Sequence, residues 1–379
     1  MLAWYANRAS YLMAIGRPAA QVALYHPANS MWLGDEEADR STTKLGKQLL
    51  EHQIDFDYFD EQSLGSVATL ENGAFRNLSG QVYRAVIVPS STVISRTGLD
   101  RLKAFAAAGG KVLFIGVAPT IVVERTFLEA KDRPDVSFAT LIEPGGNITA
   151  RVVAALPKPD VALDSPCPSL KYTHRTWRDA DLYFFFNESD QKQSRTAEVA
   201  GQGQAQVWDA GTGQIHLMTS AAAGKDSVRV PLVLEPYEAK IVVIGPGPAG
   251  VASPEPSFAA GDAVAEFAAE PGATEFQKQV SVPSKPAGKR LFVECDEVHD
   301  YARLRVNGKD LDARAWQPYR WDATDAMVAG ANRIEIEVRT LPAGGRGGPT
   351  GGAQPAGGRG ATPAPPVHGL AGSVRVVMR

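Results

Sequence analysis

Cysteine is scarce in this chain of 379 residues, which contains only Cys167 and Cys295. Two cysteines are too few for a disulfide framework or a cysteine-based zinc site, so we expect both to be small buried hydrophobic residues. A basic excess is also absent, because the net charge is −3, and this argues against nucleic acid as a partner. No apolar run reaches the roughly 18 residues of a membrane-spanning helix, so no membrane partner is expected.

Motifs of common α/β enzymes are missing as well. The segment His26–Ser30, after the first predicted strand, lacks the G-x-G-x-x-G pattern of dinucleotide sites. Ser90 and Ser91, after the third, belong to no G-x-S-x-G elbow and have no identified base, so a capped turn is the simpler interpretation. His26 has no second histidine or cysteine at ligand spacing. We therefore predict no catalytic residue, no cofactor and no metal site.

The chain has the composition of a globular protein, with 44% hydrophobic and 21% charged residues. Strands alternate with helices up to residue 160, which predicts a doubly wound parallel sheet with helices on both faces. The predicted strands are Gln21–Tyr25, Asp57–Asp60, Ala85–Val88 and Lys111–Ile115, and the predicted helices are Ala38–Ile54, Leu99–Ala108 and Asn147–Leu156. Ligands bind such sheets at the carboxyl ends of the strands, which here carry His26, Asp60, Ser90, Ser91 and Gly116.

Beyond residue 160 the pattern changes to short strands and turns, which predicts two β-sandwiches. Asp209–Gly213 has the composition of a hairpin turn, and Asn307-Gly308 predicts a tight one. The predicted strands are 169–174, 181–187, 195–200, 204–209, 213–218, 228–234 and 238–244, then Thr274–Val282, Lys289–Cys295, Ala302–Val306, Ile334–Arg339 and Val374–Met378.

Four segments follow from this pattern. Residues 1–17 form an opening amphipathic helix, without the order of a signal peptide, that we expect to pack on a missing upstream domain. Residues 18–160 form the α/β domain and residues 161–248 the first sandwich. Residues 249–379 form a second sandwich of jelly-roll type, with a Gly/Pro/Ala-rich loop at 341–366 that we expect to be disordered.

Three clusters of residues each allow two interpretations. Asp179 and Asp181 are either a carboxylate pair for glycoside hydrolysis or, as we favour, part of a salt-bridged structural corner with His174 and Arg175. Three aromatic residues either stack on a sugar or alternate into a core, and these are Trp316, Tyr319 and Trp321. The acidic cluster Asp35–Asp39 either binds calcium or, more simply, complements the positive end of a helix.

The segment Tyr172–Asn187 lies where the architecture changes, and it resembles a signature of a known family. The signature residues are His174-Arg175, then Asp179-Ala180-Asp181-Leu182-Tyr183-Phe184, then Asn187. Further similar segments are Tyr11-Leu12-Met13, Gly16-Arg17-Pro18, Val22–Tyr25, Pro27, Trp208-Asp209, Gly213, Leu234–Glu238, Val306-Asn307-Gly308, Pro318–Thr324 and Gly330-Ala331-Asn332. By these residues the chain resembles glycoside hydrolase family 106, the α-L-rhamnosidases.

The resemblance implies a particular place in a larger enzyme. It implies a glutamine-amidotransferase-like or flavodoxin-like α/β domain, a β-sandwich and a galactose-binding-like sandwich. Catalysis in the family belongs to a (β/α)₈ barrel, where two glutamates hydrolyse terminal α-L-rhamnose with inversion, and no residue here matches them. The Gly/Pro/Ala loop departs from the family pattern. A periplasmic or secreted location is implied by the family.

Three hypotheses for function follow. In the first, the chain is the ancillary C-terminal region of a rhamnosidase-like hydrolase, inactive alone and partnered by an upstream barrel. In the second, it is a stand-alone carbohydrate-binding module for plant or microbial glycans. In the third, it is a free-standing α/β hydrolase, which the missing nucleophile argues against.

Overall fold

The computed structural model describes residues 2–124, 133–247, 253–254, 262–284, 288–299, 301–339 and 369–379. The chain forms two compact units, one comprising Ala6–Glu255 and the other comprising Met1–Tyr5 with Pro256–Arg379. Among the described residues, no helix is both long and apolar enough to cross a membrane. The predicted loop at 341–366 lies outside the described residues.

The first half of the chain alternates helices and strands. The helices are α1 (Leu2–Ala14), α2 (Ala28–Trp32), α3 (Glu36–Glu51), α4 (Arg96–Ala107) and α5 (Ile148–Ala155), with a π-helix at Ser63–Val67. The strands are β1 (Arg17–Pro18), β2 (Val22–Tyr25), β3 (Phe56–Phe59), β4 (Thr69–Glu71), β5 (Ala74–Arg76), β6 (Val82–Tyr83), β7 (Ala85–Val88), β8 (Val93–Ser95), β9 (Lys111–Ile115), β10 (Ile121–Val123) and β11 (Thr140–Ile142).

Five of these strands form a parallel sheet in the order β11-β9-β7-β2-β3. The central strands β2 and β7 are buried at every residue, as their apolar runs predict. Four of the five strands were expected from the sequence. The edge strand β11 was not predicted, because a strand of three residues is too short to show a hydrophobic pattern. A small antiparallel sheet (β4-β5-β6) and a parallel pair (β8, β10) were likewise not predicted.

Helices cover both faces of this sheet, as predicted. Because side chains alternate along a strand, the sheet supplies two separate cores. Tyr25, Val86 and Phe114 share one core with Leu99 and Phe105 of α4. The other core joins the alternate strand residues to α3 and α5, and its members include Leu24, Ile87, Leu113, Leu45, Leu49 and Val152.

The helix ends follow from capping side chains. Asp35 caps α3 by accepting from the Ala38 amide, and Asn147 caps α5 in the same way. The prediction placed the start of α4 at Leu99, which is three residues late. The helix begins at Arg96 because the hydroxyl of Ser95 accepts from the Gly98 amide.

The first sandwich has one seven-stranded and one four-stranded sheet. Its strands are β12 (Val161–Leu163), β13 (Leu170–Trp177), β14 (Ala180–Asn187), β15 (Gln193–Ala200), β16 (Gln204–Trp208), β17 (Ile215–Leu217), β18 (Ala221–Gly224), β19 (Ser227–Leu234), β20 (Ala239–Gly245) and β21 (Ser253–Pro254). The sheet orders are β1-β13-β14-β20-β16-β17-β21 and β12-β15-β19-β18, and one hydrophobic core joins them. All seven predicted strands are present, whereas the short β12, β18 and β21 were not predicted.

The second unit contains two four-stranded antiparallel sheets around one core. Its strands are β22 (Asp262–Ala268), β23 (Glu275–Val282), β24 (Leu291–His299), β25 (Tyr301–Val306), β26 (Lys309–Arg314), β27 (Arg320–Asp322), β28 (Gly330–Arg339) and β29 (Gly369–Met378). The predicted turn at Asn307-Gly308 joins β25 to β26, and both residues have positive φ, +52° and +79°. Strong left-handed turn residues therefore set this hairpin.

Candidate functional site

His174 on β13 is the centre of a buried polar cluster. Its Nδ1 lies 3.0 Å from Asp160 Oδ2, and its Nε2 lies 2.9 Å from Asp181 Oδ1. The ring stacks on Tyr183 at 4.2 Å and is only 4% exposed. A histidine donates from both nitrogens only when it is protonated, so this geometry holds an imidazolium between two carboxylates.

The charges around His174 explain its protonation. Burial alone lowers the pKa of His174, but the hydrogen bonds and charges of Asp160 and Asp181 outweigh it and raise the pKa to about 9. A third carboxylate, Asp55, accepts from the His174 amide at 3.2 Å and from the Thr173 hydroxyl at 3.4 Å. Burial raises the pKa of Asp55 to about 6.

The cluster ties the α/β part of the chain to the first sandwich. Asp160 accepts from the Gln21 side chain at 2.8 Å, and Gln21 directly precedes β2. Gln53, between α3 and β3, donates to the carbonyls of Cys167 and Leu170 at 2.9 and 2.7 Å. Both nitrogens of His174 are therefore engaged in holding strands together, and the ring has no free nitrogen to act as a base.

The predicted corner is only partly assembled. The structure brings His174 and Asp181 together, and it places Arg175 against the end of α1, where its guanidinium donates to the carbonyl of Ile15 at 2.8 Å. Asp179 is exposed and forms no ion pair within the described part of the chain. Asp160 was missed by sequence reasoning. No local pattern marks it, and the only signal was that a buried histidine needs a partner at each nitrogen.

The carboxyl edge of the parallel sheet is filled by a carboxylate of the chain itself. Glu61 accepts from Asn29 Nδ2 at 3.0 Å, from the Ser95 amide at 3.2 Å, and from the hydroxyls of Tyr25 and Ser95. Burial, and then the charge of Glu61, raise the pKa of Tyr25 far above its ordinary value, so its hydroxyl stays a donor. Many α/β folds bind an anionic ligand at this edge of the sheet, at the start of a helix. In this chain the carboxylate of Glu61 occupies that position.

The other residues predicted at this edge have structural contacts. The Ser90 amide donates to the Ser41 hydroxyl at 3.1 Å, and the buried Ser91 hydroxyl has no hydrogen-bond partner among the described residues. The Asp60 carboxylate accepts from the Ser63 amide at 2.7 Å, and His26 packs edge-on to Tyr58.

The two serines at the same edge have no hydrogen-bonded base among the described residues. Gly116 has a φ of +74°, and a Cβ added there would lie 3.3 Å from Ser90 Cβ. Within the described ranges, no hydrogen bond joins either Ser90 or Ser91 to a histidine or a carboxylate. In this part of the chain, neither serine therefore has the adjacent base that activates a nucleophile.

The acidic segment Asp35–Asp39 is accounted for without a ligand. Asp35 caps α3 and also accepts from the amide and hydroxyl of Thr92, at 3.1 and 2.9 Å. Arg40 pairs with Glu36 and Glu37 on the exposed side of the helix. In the part of the chain that the structure describes, no cluster of three or more His, Cys, Asp or Glu side chains is arranged to hold a metal ion.

The three candidate aromatic residues differ in their placement. Trp321 is 2% exposed and Tyr319 8% exposed, and both belong to the core of the second unit. The indole nitrogen of Trp321 donates to the Asp312 carbonyl at 3.1 Å. Trp316 is half-buried and packs on Tyr5 at 4.7 Å. The geometry favours core packing for Tyr319 and Trp321, because a buried ring offers no face to a sugar.

One solved structure shares this fold over nearly the whole chain. A rhamnosidase from Novosphingobium sp. PP1Y is similar over 99% of this chain and 40% of its own, with a TM-score of 0.68 and 20% identity. The chain thus spans well under half the length of that enzyme. An α-L-fucosidase isoenzyme 2 from Paenibacillus thiaminolyticus has a TM-score of 0.42 and 15% identity, covering 63% of this chain and 51% of its own. A β-galactosidase from Bacillus circulans sp. alkalophilus has a TM-score of 0.42 and 12% identity, and the match covers 64% of this chain and 44% of that enzyme.

The family follows from the sequence of the first 221 residues. The sequence model of glycoside hydrolase family 106, described as alpha-L-rhamnosidase, matches residues 1–221. A search of curated protein sequences found no match. The chain is a glycoside hydrolase-like protein, and it belongs to glycoside hydrolase family 106, the family of the alpha-L-rhamnosidases.

Proposed function

We propose that the chain is the ancillary C-terminal region of an α-L-rhamnosidase-like enzyme and is not catalytic alone. The whole enzyme would hydrolyse terminal α-L-rhamnose in plant or microbial glycans. The observation that carries the proposal is the internal use of the carboxylates. Three partly buried carboxylates each accept hydrogen bonds from other residues of the chain. These carboxylates are Glu61 at the sheet edge, and Asp160 and Asp181 beside His174.

Inverting hydrolysis needs a different arrangement of carboxylates. Two carboxyl groups must face each other across the sugar, about 6.5–9.5 Å apart, with one protonating the leaving oxygen and one activating water. A cleft in the second unit does carry Glu275, Glu335 and Glu337, but all three stand on one face of a single sheet. They would approach a sugar from the same side, which does not serve this chemistry.

The finer fold names belong to the same proposal. We propose that residues 18–160 form a glutamine-amidotransferase-like domain, 161–248 a β-sandwich and 249–379 a galactose-binding-like jelly roll. The parallel sheet covered by helices on both faces supports the first, and the pairs of sheets with almost wholly antiparallel strands support the other two. The absence of a cysteine nucleophile after β7 means that the first domain would lack amidotransferase chemistry.

The proposed partner is the catalytic barrel, in the same polypeptide or a separate one. Trp4 and Tyr11 on α1 are 64% and 60% exposed, and residues seven apart lie on one face of a helix. Leu12, in contrast, is buried. Two large exposed aromatic side chains on one helical face suit a docking surface.

An activity assay tests the non-catalytic part of the proposal. The purified chain should show no turnover of an aryl α-L-rhamnoside. Turnover that copurifies with the chain through orthogonal columns would overturn the proposal.

A binding assay tests the docking part. A family 106 barrel expressed from the DNA upstream of Met1 should bind the chain, and Trp4→Ala and Tyr11→Ala should weaken binding. Tyr58→Ala, at an exposed tyrosine on β3, should not. The absence of an in-frame barrel upstream, together with no binding to any family 106 barrel tested, would refute the partner.

A further inference from the structure

A polar cleft lies on the outward face of one sheet of the second unit. The sheet has the strand order β23-β28-β25-β26, and the cleft has a volume of about 210 Å³. The polar residues that line it are Glu275, Gln277, Arg303, Arg305, Glu335 and Glu337. Pockets for drug-sized ligands are usually about 300–1,000 Å³, so this one has room for a single small ring.

The strand register explains why these side chains share one face. Glu337 on β28 stands between Glu275 on β23 and Arg303 on β25. One row further along, Glu335 stands between Gln277 and Arg305 in the same way. Residues two apart point to the same side of a strand, so the two rows form one polar surface.

The floor of the cleft is rigid. The intervening residues Phe276, Leu304 and Ile336 point inward and belong to the hydrophobic core. Because they are closely packed, the strands beneath the cleft hold their spacing. Polar groups on such a floor are positioned before any ligand arrives, which reduces the entropy cost of binding.

Two of the polar groups form no ion pair among the described residues, although Arg305 stands opposite Asp310 in the β25–β26 register and interacts with its charge. Arg303 pairs with Asp310, Glu335 with Arg333 at 2.8 Å, and Glu337 with Arg339 at 2.7 Å. Arg305 and Glu275 are exposed and form no ion pair with any residue in the described ranges. A guanidinium and a carboxylate each present two parallel donors or acceptors, which match two adjacent hydroxyl groups.

An aromatic side chain lies next to these groups on the same face. Tyr301 precedes Arg303 by two residues and pairs in register with Arg339, so it stands one row beyond the cleft. It is half-buried. The tyrosine ring has an apolar face and a polar hydroxyl at its tip. It therefore complements a ligand ring that has one apolar face and hydroxyl groups around its edge.

We propose that this cleft binds a neutral sugar ring through Arg305 and Glu275. Glutamate and arginine side chains lie side by side in the lining of the cleft. A ligand with a net charge of either sign would therefore be repelled by the groups that carry the same sign. A polyhydroxylated ring without charge can instead use both groups. This inference rests on the proposed function, because it gives the ancillary region a contact with the glycan.

Ligand-observed NMR and isothermal titration of the whole chain test the proposal, with methyl α-L-rhamnoside as the probe. The rhamnoside should bind with a dissociation constant near the millimolar range, more tightly than D-galacturonate or D-glucosamine. Arg305→Ala and Glu275→Gln should each weaken binding about tenfold. Lys278→Gln, at the next position along β23 from Gln277, is the matched control and should change nothing.

Four outcomes would overturn the proposal. The first three are no binding of the rhamnoside at about 20 mM, binding that is insensitive to both cleft variants, and tighter binding of a charged sugar. Loss of binding in Trp316→Ala alone would place the site elsewhere and would also overturn it. Failure here leaves the ancillary role standing, because that role is tested by turnover and by binding to the barrel.

Discussion

Replacing His174 by glutamine should destabilise the first unit by an amount set by its two carboxylate partners. Burial lowers the pKa of His174, yet Asp160 and Asp181 raise it from 6.5 to about 9. That rise is equivalent to about 3 kcal/mol of preference for the charged form in the folded state. Glutamine keeps the volume and a donor but carries no charge, so the variant loses this contribution.

The loss should depend on pH in a defined direction. The folded-state pKa of His174 lies above its unfolded value, so its contribution is complete below pH 6.5 and disappears as the pH rises through about 9. Asp55 also has a raised pKa, about 6, and its contribution is lost as the pH rises from 3.8 to about 6. Between neutral pH and about 9, His174 is therefore the dominant group of the two.

Hydrogen exchange read by mass spectrometry, on peptides covering 170–187, measures this locally. At pH 6.5, His174→Gln should lower protection roughly a hundredfold relative to the unsubstituted chain, and the difference should shrink as the pH approaches 9. Asp179→Asn is the matched control, because Asp179 is exposed in the turn between β13 and β14. This variant should change the free energy of unfolding by less than about 0.5 kcal/mol.

An equal difference between His174→Gln and the unsubstituted chain at both ends of this pH range would contradict a charged His174, and it would refute the expected pH dependence. Destabilisation of the strand by Asp179→Asn as strong as that by Asp181→Asn would also contradict the role assigned to the ion pairs of His174. Either result would mean that the imidazolium between Asp160 and Asp181 is not what stabilises β13 and β14.

Three further substitutions test the core and the sheet edge. Trp321→Ala should lower the free energy of unfolding by about 3–5 kcal/mol in a urea titration, while Trp316→Ala, at a half-buried ring, should cost clearly less; equal losses would contradict the burial difference. Glu61→Gln should cost about 1–3 kcal/mol, because the amide can no longer accept from both Tyr25 and Ser95. A stabilising effect of Glu61→Gln would mean that this carboxylate is strained rather than satisfied.

Local sequence patterns determined most of the secondary structure. The four-residue apolar runs of β2 and β7, flanked by helical segments, are typical of strands that are buried on both faces of a parallel sheet. The left-handed preference of Asn307-Gly308 closes the hairpin between β25 and β26 without tertiary help. The start of α4 was misplaced because Ser95, its cap, lies four residues before Leu99, where the prediction began.

What only the tertiary structure decided is which side chains meet. Asp160 and Asp55 lie 14 and 119 residues from His174 in the sequence, and neither carries a local signal for the contact. Whether Trp321 faces a core or a ligand depends on the sheet that covers it, and the cleft exists only because three strands align Glu275, Glu337 and Arg303 in one row. Hydrophobic periodicity and the turn preferences of residues act over a few positions, so they can be recognised in the sequence. Strand register and buried ion pairs depend on contacts between distant segments, so only the tertiary structure decides them.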